Sequence, residues 1–290
     1  MRLITPCTAL MLATLSHTAH AQTDDDRDWR LDISGGITTF AGDQDQPYVS
    51  ASLRHSFGDI YVSLGGVLVG YDGPAPAIGD TIPATTRQAV IGIGYETDAL
   101  GIDAYVAFGD RDFDSIDLRG PNGTPLQFEA DGSSWATGAA ITYQAPLGGR
   151  WFLAPFLALD YSEIDTVQAL VGPTGEIVGR RVEESGVTGS GGGTLQYALG
   201  QNFQHSLGLY AAFVTTSNAA STTRIGGAGS AANAARPVAG ADDGDSWFEY
   251  GASASFGLSD AIFLDLFLSR TAGLRFGDAT SASIGLSFEF

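Results

Sequence analysis

The sequence predicts an all-β chain, a twelve-stranded antiparallel transmembrane β-barrel, and three observations carry that prediction. From Trp29 onward, twelve segments of about ten residues alternate apolar and polar side chains with period two. The connections between them alternate between a few residues and long stretches, and outward-facing aromatic residues collect at the strand ends.

Composition agrees. Hydrophobic residues make up 44% and mean hydropathy is +0.07, too polar for a bundle of membrane helices. A barrel hides half of each spanning segment from lipid, so a near-neutral average is what that architecture predicts. The 39 glycines, with many Ser, Thr and aromatic residues, match strand usage. The 33 acidic residues against 14 basic ones, all Arg, repel phosphate backbones, so nucleic acid is excluded as a partner.

In chain order, Met1-Arg2, the apolar run Leu3–Leu15 and Ala19-His20-Ala21 predict a signal peptide over residues 1–21. Its Cys7 is the only cysteine, so the exported chain is expected to have no thiol, no disulfide and no zinc-thiolate site. A short segment, 22–28, should precede a barrel spanning 29–290.

The first strand, Trp29–Phe40, shows Trp29, Leu31, Ile33 and Ile37 outward, and the second, Tyr48–Phe57, shows Val49, Leu53 and Phe57. Gly58-Asp59 turns into the third, Ile60–Gly70. The fourth and fifth, Arg87–Tyr95 and Gly101–Asp110, flank Thr97-Asp98. The sixth, Trp135–Gln144, turns at Leu147-Gly148-Gly149 into the seventh, Trp151–Tyr161. The eighth is Ser185–Leu199, where Gly189 and Gly191–Gly193 predict a bend in a curved sheet. The ninth to eleventh are Ser206–Thr215, Phe248–Phe256 and Ile262–Ser269.

The closing strand, Thr280–Phe290, puts Ala282, Ile284, Leu286, Phe288 and Phe290 on one side and Ser281, Ser283, Gly285, Ser287 and Glu289 on the other. It resembles the terminal strand of Gram-negative outer-membrane β-barrels, which typically ends in Phe. The resemblance implies the cell outer membrane, contact with its lipid and lipopolysaccharide, and reading of this strand by the outer-membrane assembly machinery.

Connections after strands 2, 4, 6, 8 and 10 are short and are expected on the periplasmic side. Those after 3, 5, 7 and 9 are long and outer. Gly120–Gly123 and Gly172–Gly175 are expected as hairpin tips extending strands 5/6 and 7/8, and Ala219–Gly240 as a mobile loop. Trp29, Trp151 and Phe290 fall in the periplasmic aromatic girdle, and Trp135, Tyr161 and Phe248 in the outer one.

By parity Arg30, Asp32, Arg54, Glu96, Asp103, Asp160, Glu249, Asp265 and Glu289 face the lumen, and an Arg30–Glu289 salt bridge is expected where strands 1 and 12 meet. This acidic excess would favour cations if the lumen conducts. Twelve strands lie between a filled cylinder and an open pore, and inward Tyr61, Tyr105, Phe152, Phe156, Tyr210, Phe263 and Phe267 narrow the bore. Arg87 and Arg270 point outward at the outer interface, where lipopolysaccharide phosphates lie. Acidic groups around Asp43, Asp110 and Asp242 lack the spacing of a calcium loop. His55 and His205 form no nucleophile–base set with neighbouring Ser206, so no enzyme and no cofactor is expected.

Gly149–Asp165, with Trp151-Phe152, Pro155 and Leu159-Asp160-Tyr161, is similar to the middle of the autotransporter translocator domain, a twelve-stranded barrel of about this length. That family threads an N-terminal helix through its pore to carry a passenger. Only 22–28 precede the first strand here, so no passenger is expected. The functional expectation is a stand-alone barrel acting as a narrow, weakly cation-selective channel or a structural surface protein. The alternatives are a translocator without its own passenger and an outer-loop adhesin.

Overall fold

A computed structural model of the chain describes residues 28–40, 44–71, 82–113, 118–119, 125–126, 131–171, 177–200, 204–221, 244–275 and 277–290. The signal peptide and most of segment 22–28 lie outside the described residues. Twelve long strands follow in chain order: β1 Trp29–Phe40, β2 Gln44–Phe57, β3 Ile60–Val69, β4 Thr85–Glu96, β5 Leu100–Asp112, β6 Asp131–Tyr143, β7 Trp151–Val171, β8 Ile177–Leu199, β9 His205–Thr216, β10 Asp245–Ser259, β11 Ile262–Ala272 and β12 Ala279–Glu289. Each pairs antiparallel with its successor. β12 pairs back onto β1 through eleven residue pairs, from Arg30↔Glu289 to Phe40↔Ala279. The sheet is therefore a closed cylinder, which removes the exposed strand edges that would otherwise need partners.

Alternation sorts the two faces. Ile33, Leu64, Ile91, Leu157, Leu209 and Ile284 are exposed on the outside, while their sequence neighbours turn inward. An outer surface this apolar suits lipid, and it leaves the interior free to be polar. Phe290 lies just past β12 but still exchanges backbone hydrogen bonds with Trp29 at 3.1 and 2.9 Å. At one end the turns are tight: Gly58 (φ 64°) joins β2 to β3, and Gly148 and Gly149 (φ 106° and 61°) precede β7, angles that only glycine adopts without strain.

Several sequence expectations need correction. β8 begins at Ile177, not Ser185, and pairs with β7 all the way from Trp151↔Tyr197 to Val171↔Ile177, so the expected hairpin extension of strands 7 and 8 forms as unbroken paired strand. Gly189 to Gly193 make no register shift against β7 or β9. These glycines keep an unbroken ladder, because a Cβ on Gly192 would collide with Ala212 (2.6 Å to its Cα). The tip residues 120–123 and 172–175 lie outside the described residues. Near the first tip, Leu118–Arg119 pairs with Pro125–Leu126 as a separate two-stranded ladder. Ala219–Ser221, expected in a mobile loop, form a 3-10 turn.

Candidate functional site

The site is the inside of the cylinder, and its lower part, near the tight turns, carries the charges. At the seam Arg30 and Glu289 are Cα partners with Nη1 and Oε1 3.7 Å apart. Asp32 is closer still, accepting from Arg30 Nε at 2.8 Å. Ser287 Oγ accepts from Arg30 Nη2 at 3.0 Å and donates to Asp32 at 2.6 Å, with Asp265 3.5 Å away. One guanidinium thus sits among three carboxylates and a hydroxyl. Across the lumen wall Arg54 pairs with Glu96 and lies 3.6 Å over the Tyr61 ring.

Buried Asp103, Asp160 and Glu249 are each held by a tyrosine: Tyr61 donates to Asp103, Tyr105 to Asp160 at 2.9 Å and Tyr210 to Glu249 at 3.1 Å. Each of these rings lies on a strand whose Cα partner is a glycine, Gly94, Gly138 and Gly251 respectively. At Gly94 and Gly138 a Cβ would run into the ring, so glycine makes room for a tyrosine that spans one strand and bonds a carboxylate on the next. Such buried carboxylates need these donors, since desolvation without them is costly.

Above this lies an apolar layer. Phe40, Val67, Val69, Val90, Ala107, Ala136, Val214, Trp247 and Ala279, with Leu274 from the β11–β12 connection, form one contiguous buried cluster. Its members come from β1, β3, β4, β5, β6, β9, β10 and β12, strands that are not all neighbours, so its contacts run through the interior. Trp247 is 1% exposed, with Nε1 donating to Glu249 at 3.0 Å. β10 starts at Asp245 rather than Phe248, which places this tryptophan inside the bore.

At the outer mouth three loop segments turn inward. Ile82 is fully buried and donates to Val167 O at 2.7 Å, Phe113 is fully buried, and Asn218–Ser221 enters beside β7 and β8. Beyond Tyr161 the β7–β8 ribbon is locked by Asp165, which accepts from Ser133 N and Oγ at 2.7 Å each and from Arg181. Burial alone would raise the Asp165 carboxyl, but the hydrogen bonds from Arg181 and Ser133 outweigh it and hold it at about 2, below its ordinary 3.8. A depressed carboxyl contributes stability that is complete above 3.8 and lost as pH falls through about 2. The protection factor of the Ser133 amide, referred to intrinsic exchange at each pH, should therefore be high at neutral pH and fall across that acid window. Asp165→Asn should show low protection already at neutral pH, and equal protection in both proteins would refute the lock.

The outward residues form two rings. At the tight-turn end Trp29 stacks on His55 at 4.2 Å, His55 meets Phe57 at 4.3 Å, Trp151 meets Tyr197 at 4.8 Å, and His205 lies 6.0 Å from Phe256. At the loop end Trp135 meets Tyr161 at 5.1 Å and Phe213 meets Phe248 at 5.2 Å. Exposed Arg87 pairs with Asp110 at 3.3 Å, and exposed Arg270 lies between Tyr250 and Thr280. Among the described residues no three His, Cys, Asp or Glu side chains cluster as metal ligands. Asp43 and Asp242 lie outside them.

The model of the family described as Autotransporter beta-domain matches residues 79–267, more than half of the chain. The chain belongs to this family. Among solved structures, this autotransporter beta-domain is similar to the beta domain of the Bordetella autotransporter BrkA (TM-score 0.60, 15% identity, covering 92% of this chain and 100% of that one). It is also similar to the translocator domain of NalP from Neisseria meningitidis (0.61, 13%, 92% and 90%) and the transport unit of AIDA-I from Escherichia coli (0.58, 12%, 96% and 97%). At such identities the likeness establishes the fold. No curated protein sequence matches the chain. The protein is an outer-membrane β-barrel of autotransporter translocator type, with β12 closing on β1.

Sequence reasoning about this autotransporter beta-domain missed the tyrosine–glycine pairs, the apolar layer and the inward loops. The first were detectable in principle, because inward Tyr61 and Gly94, or Tyr105 and Gly138, are separated by strand lengths that a correct register brings side by side. The inward loops left no periodic trace.

Proposed function

We propose that this barrel works on its own in the outer membrane, as a narrow and mostly closed passage with a weak preference for cations. The observation that carries this reading is the interior itself. Carboxylates at Asp32, Glu96, Asp103, Asp160, Glu249, Asp265 and Glu289 outnumber the inward guanidiniums of Arg30, Arg54 and Arg111, beneath a layer of apolar side chains that restricts the bore. Residues 1–21 direct export, and no catalytic activity is assigned to the chain. Arg87 and Arg270 on the outer rim contact lipopolysaccharide phosphates, and the strand ending in Phe290 is the segment that the assembly machinery receives.

Single-channel recording of the refolded barrel under a potassium chloride gradient tests this. The expected result is rare, small openings with a reversal potential that favours potassium over chloride by roughly 2- to 10-fold. An anion-favouring reversal potential would exclude the cation passage, and silence would leave a structural surface role.

Family membership favours a second reading, in which the barrel translocates a chain encoded elsewhere. The occupied outer half of the bore makes this the lesser proposal, because a threaded segment would first have to displace Trp247 and its neighbours. A role as adhesin would fall to the protruding β7–β8 ribbon.

A further inference from the structure

The apolar layer is incomplete in an informative way: it takes no member from β2, β11 or the adjacent pair β7 and β8. On the inner face of β8 the side chains are instead polar or absent from mouth to base, running through Glu184, Thr188, Ser190, Thr194 and Gln196 with Gly186 and Gly192 between them. No protein group among the described residues hydrogen-bonds the Ser190 hydroxyl. This polar stripe, flanked at Gly192 by the Phe156 and Tyr210 rings, is a side of the bore along which hydrated ions would keep polar partners instead of shedding water against the dry layer.

The top of that stripe is covered by one segment of the chain. After β9 the backbone turns inward. Asn218 Nδ2 donates to Glu184 at 2.9 Å and to Ser185 O at 3.2 Å, Ser162 Oγ on β7 donates to Ser221 O at 2.6 Å, and Ser221 Oγ donates to Asn218 O at 3.0 Å. Ser221 is fully buried. The seat depends on Gly186, where a Cβ would come within 2.5 Å of Ser221 Oγ and 2.9 Å of Asn218 Cβ.

We propose that Asn218–Ser221 is a strap that gates a cation path along the inner face of β8. The hydrogen bonds to Glu184 and Ser162 hold it shut, and Gly186 is the cleft that admits it. The proposal rests on the reading of the bore as a closed passage, and its test separates the two.

With Ser221→Cys as reporter, a membrane-impermeant maleimide applied from outside should label the otherwise unaltered barrel slowly. Adding Gly186→Leu should speed labelling at least tenfold and raise mean conductance severalfold, and Ser190→Phe on top of both should remove the added conductance while leaving labelling fast. If Gly186→Leu does not fold, Ser162→Ala with Glu184→Ala removes the ties without adding bulk and should give the same pair of changes. Rapid labelling before any seat variant is introduced overturns the strap. Labelling that rises without conductance, or added conductance that survives Ser190→Phe, overturns the gated path. The reversal potential of the unaltered barrel judges the cation passage independently.

Discussion

Gly138→Leu is expected to destabilise the barrel by about 3–5 kcal/mol, the sum of overpacking and a buried carboxylate stripped of its donor. Any Cβ at this position would meet Tyr105 Cε1 at 2.5 Å and Leu159 O at 3.0 Å, and would press on Asp160 Oδ1 as well. The ring cannot retreat toward the wall, since Gly138 is its direct partner across the β5–β6 ladder. It must swing into the lumen and release Asp160, which sits in the buried interior. Gly66→Leu is the matched control: it lies on the lipid side, where the nearest atom to a new Cβ is Gln88 O at 3.8 Å. The urea midpoint of the unfolding transition should fall sharply for the first and hardly move for the second. Equal midpoints would mean that the tyrosine merely occupies available space.

That comparison also shows why the two faces of one strand were unequally legible. The outer face meets lipid, so every outward position is under the same demand. From Ile33 to Ile284 the alternation could be read directly, along with strand order, closure and the Arg30–Glu289 pairing. The inner face answers to no single solvent. Val67, Val90, Ala107 and Trp247 pack there as a dry layer, with Trp247 two residues from Glu249 and Ala107 four from Asp103, and no composition rule separates such a layer from a polar bore. Trp247 was hidden for a further reason: a long connection precedes it, and without the register against Val214 local alternation starts the strand at Phe248, three residues after its start at Asp245. The β7–β8 ribbon was legible from the apolar residues flanking Gly172–Gly175, but not its continuity down to Ser185, because Arg180, Arg181, Glu183 and Glu184 interrupt the apolar pattern once the chain leaves the bilayer, where alternation is no longer required. The strap at Asn218–Ser221 is held by hydroxyl and amide hydrogen bonds to residues 34 and 59 positions away, contacts that leave no mark in a local sequence window.

Arg30→Glu should be the most damaging single change at the seam, lowering stability by about 3 kcal/mol, the low end of the range for uncompensated buried charge because the cluster is only partly buried. In the parent, this guanidinium faces Asp32 at 2.8 Å and Glu289 at 3.7 Å, with Asp265 linked through Ser287. Reversal would place four carboxylates around one hydroxyl at the place where the first and last strands join. Because β1 and β12 meet only when the cylinder closes, the cost falls on closure and not on the hairpins that precede it. The variant should therefore reach the membrane as a sheet that closes slowly, visible as a reduced fraction of heat-modifiable barrel in semi-native electrophoresis. Arg30→Met, which removes the charge but keeps an apolar stem, should fall between, since it adds no fourth carboxylate to the cluster. Pairing Arg30→Glu with Glu289→Arg should recover part of the loss, though not all of it, because Asp32 belongs to the same strand as residue 30 and would still face the introduced carboxylate. Full closure of the single Arg30→Glu variant at the parent's rate would show that the backbone ladder alone seals the barrel.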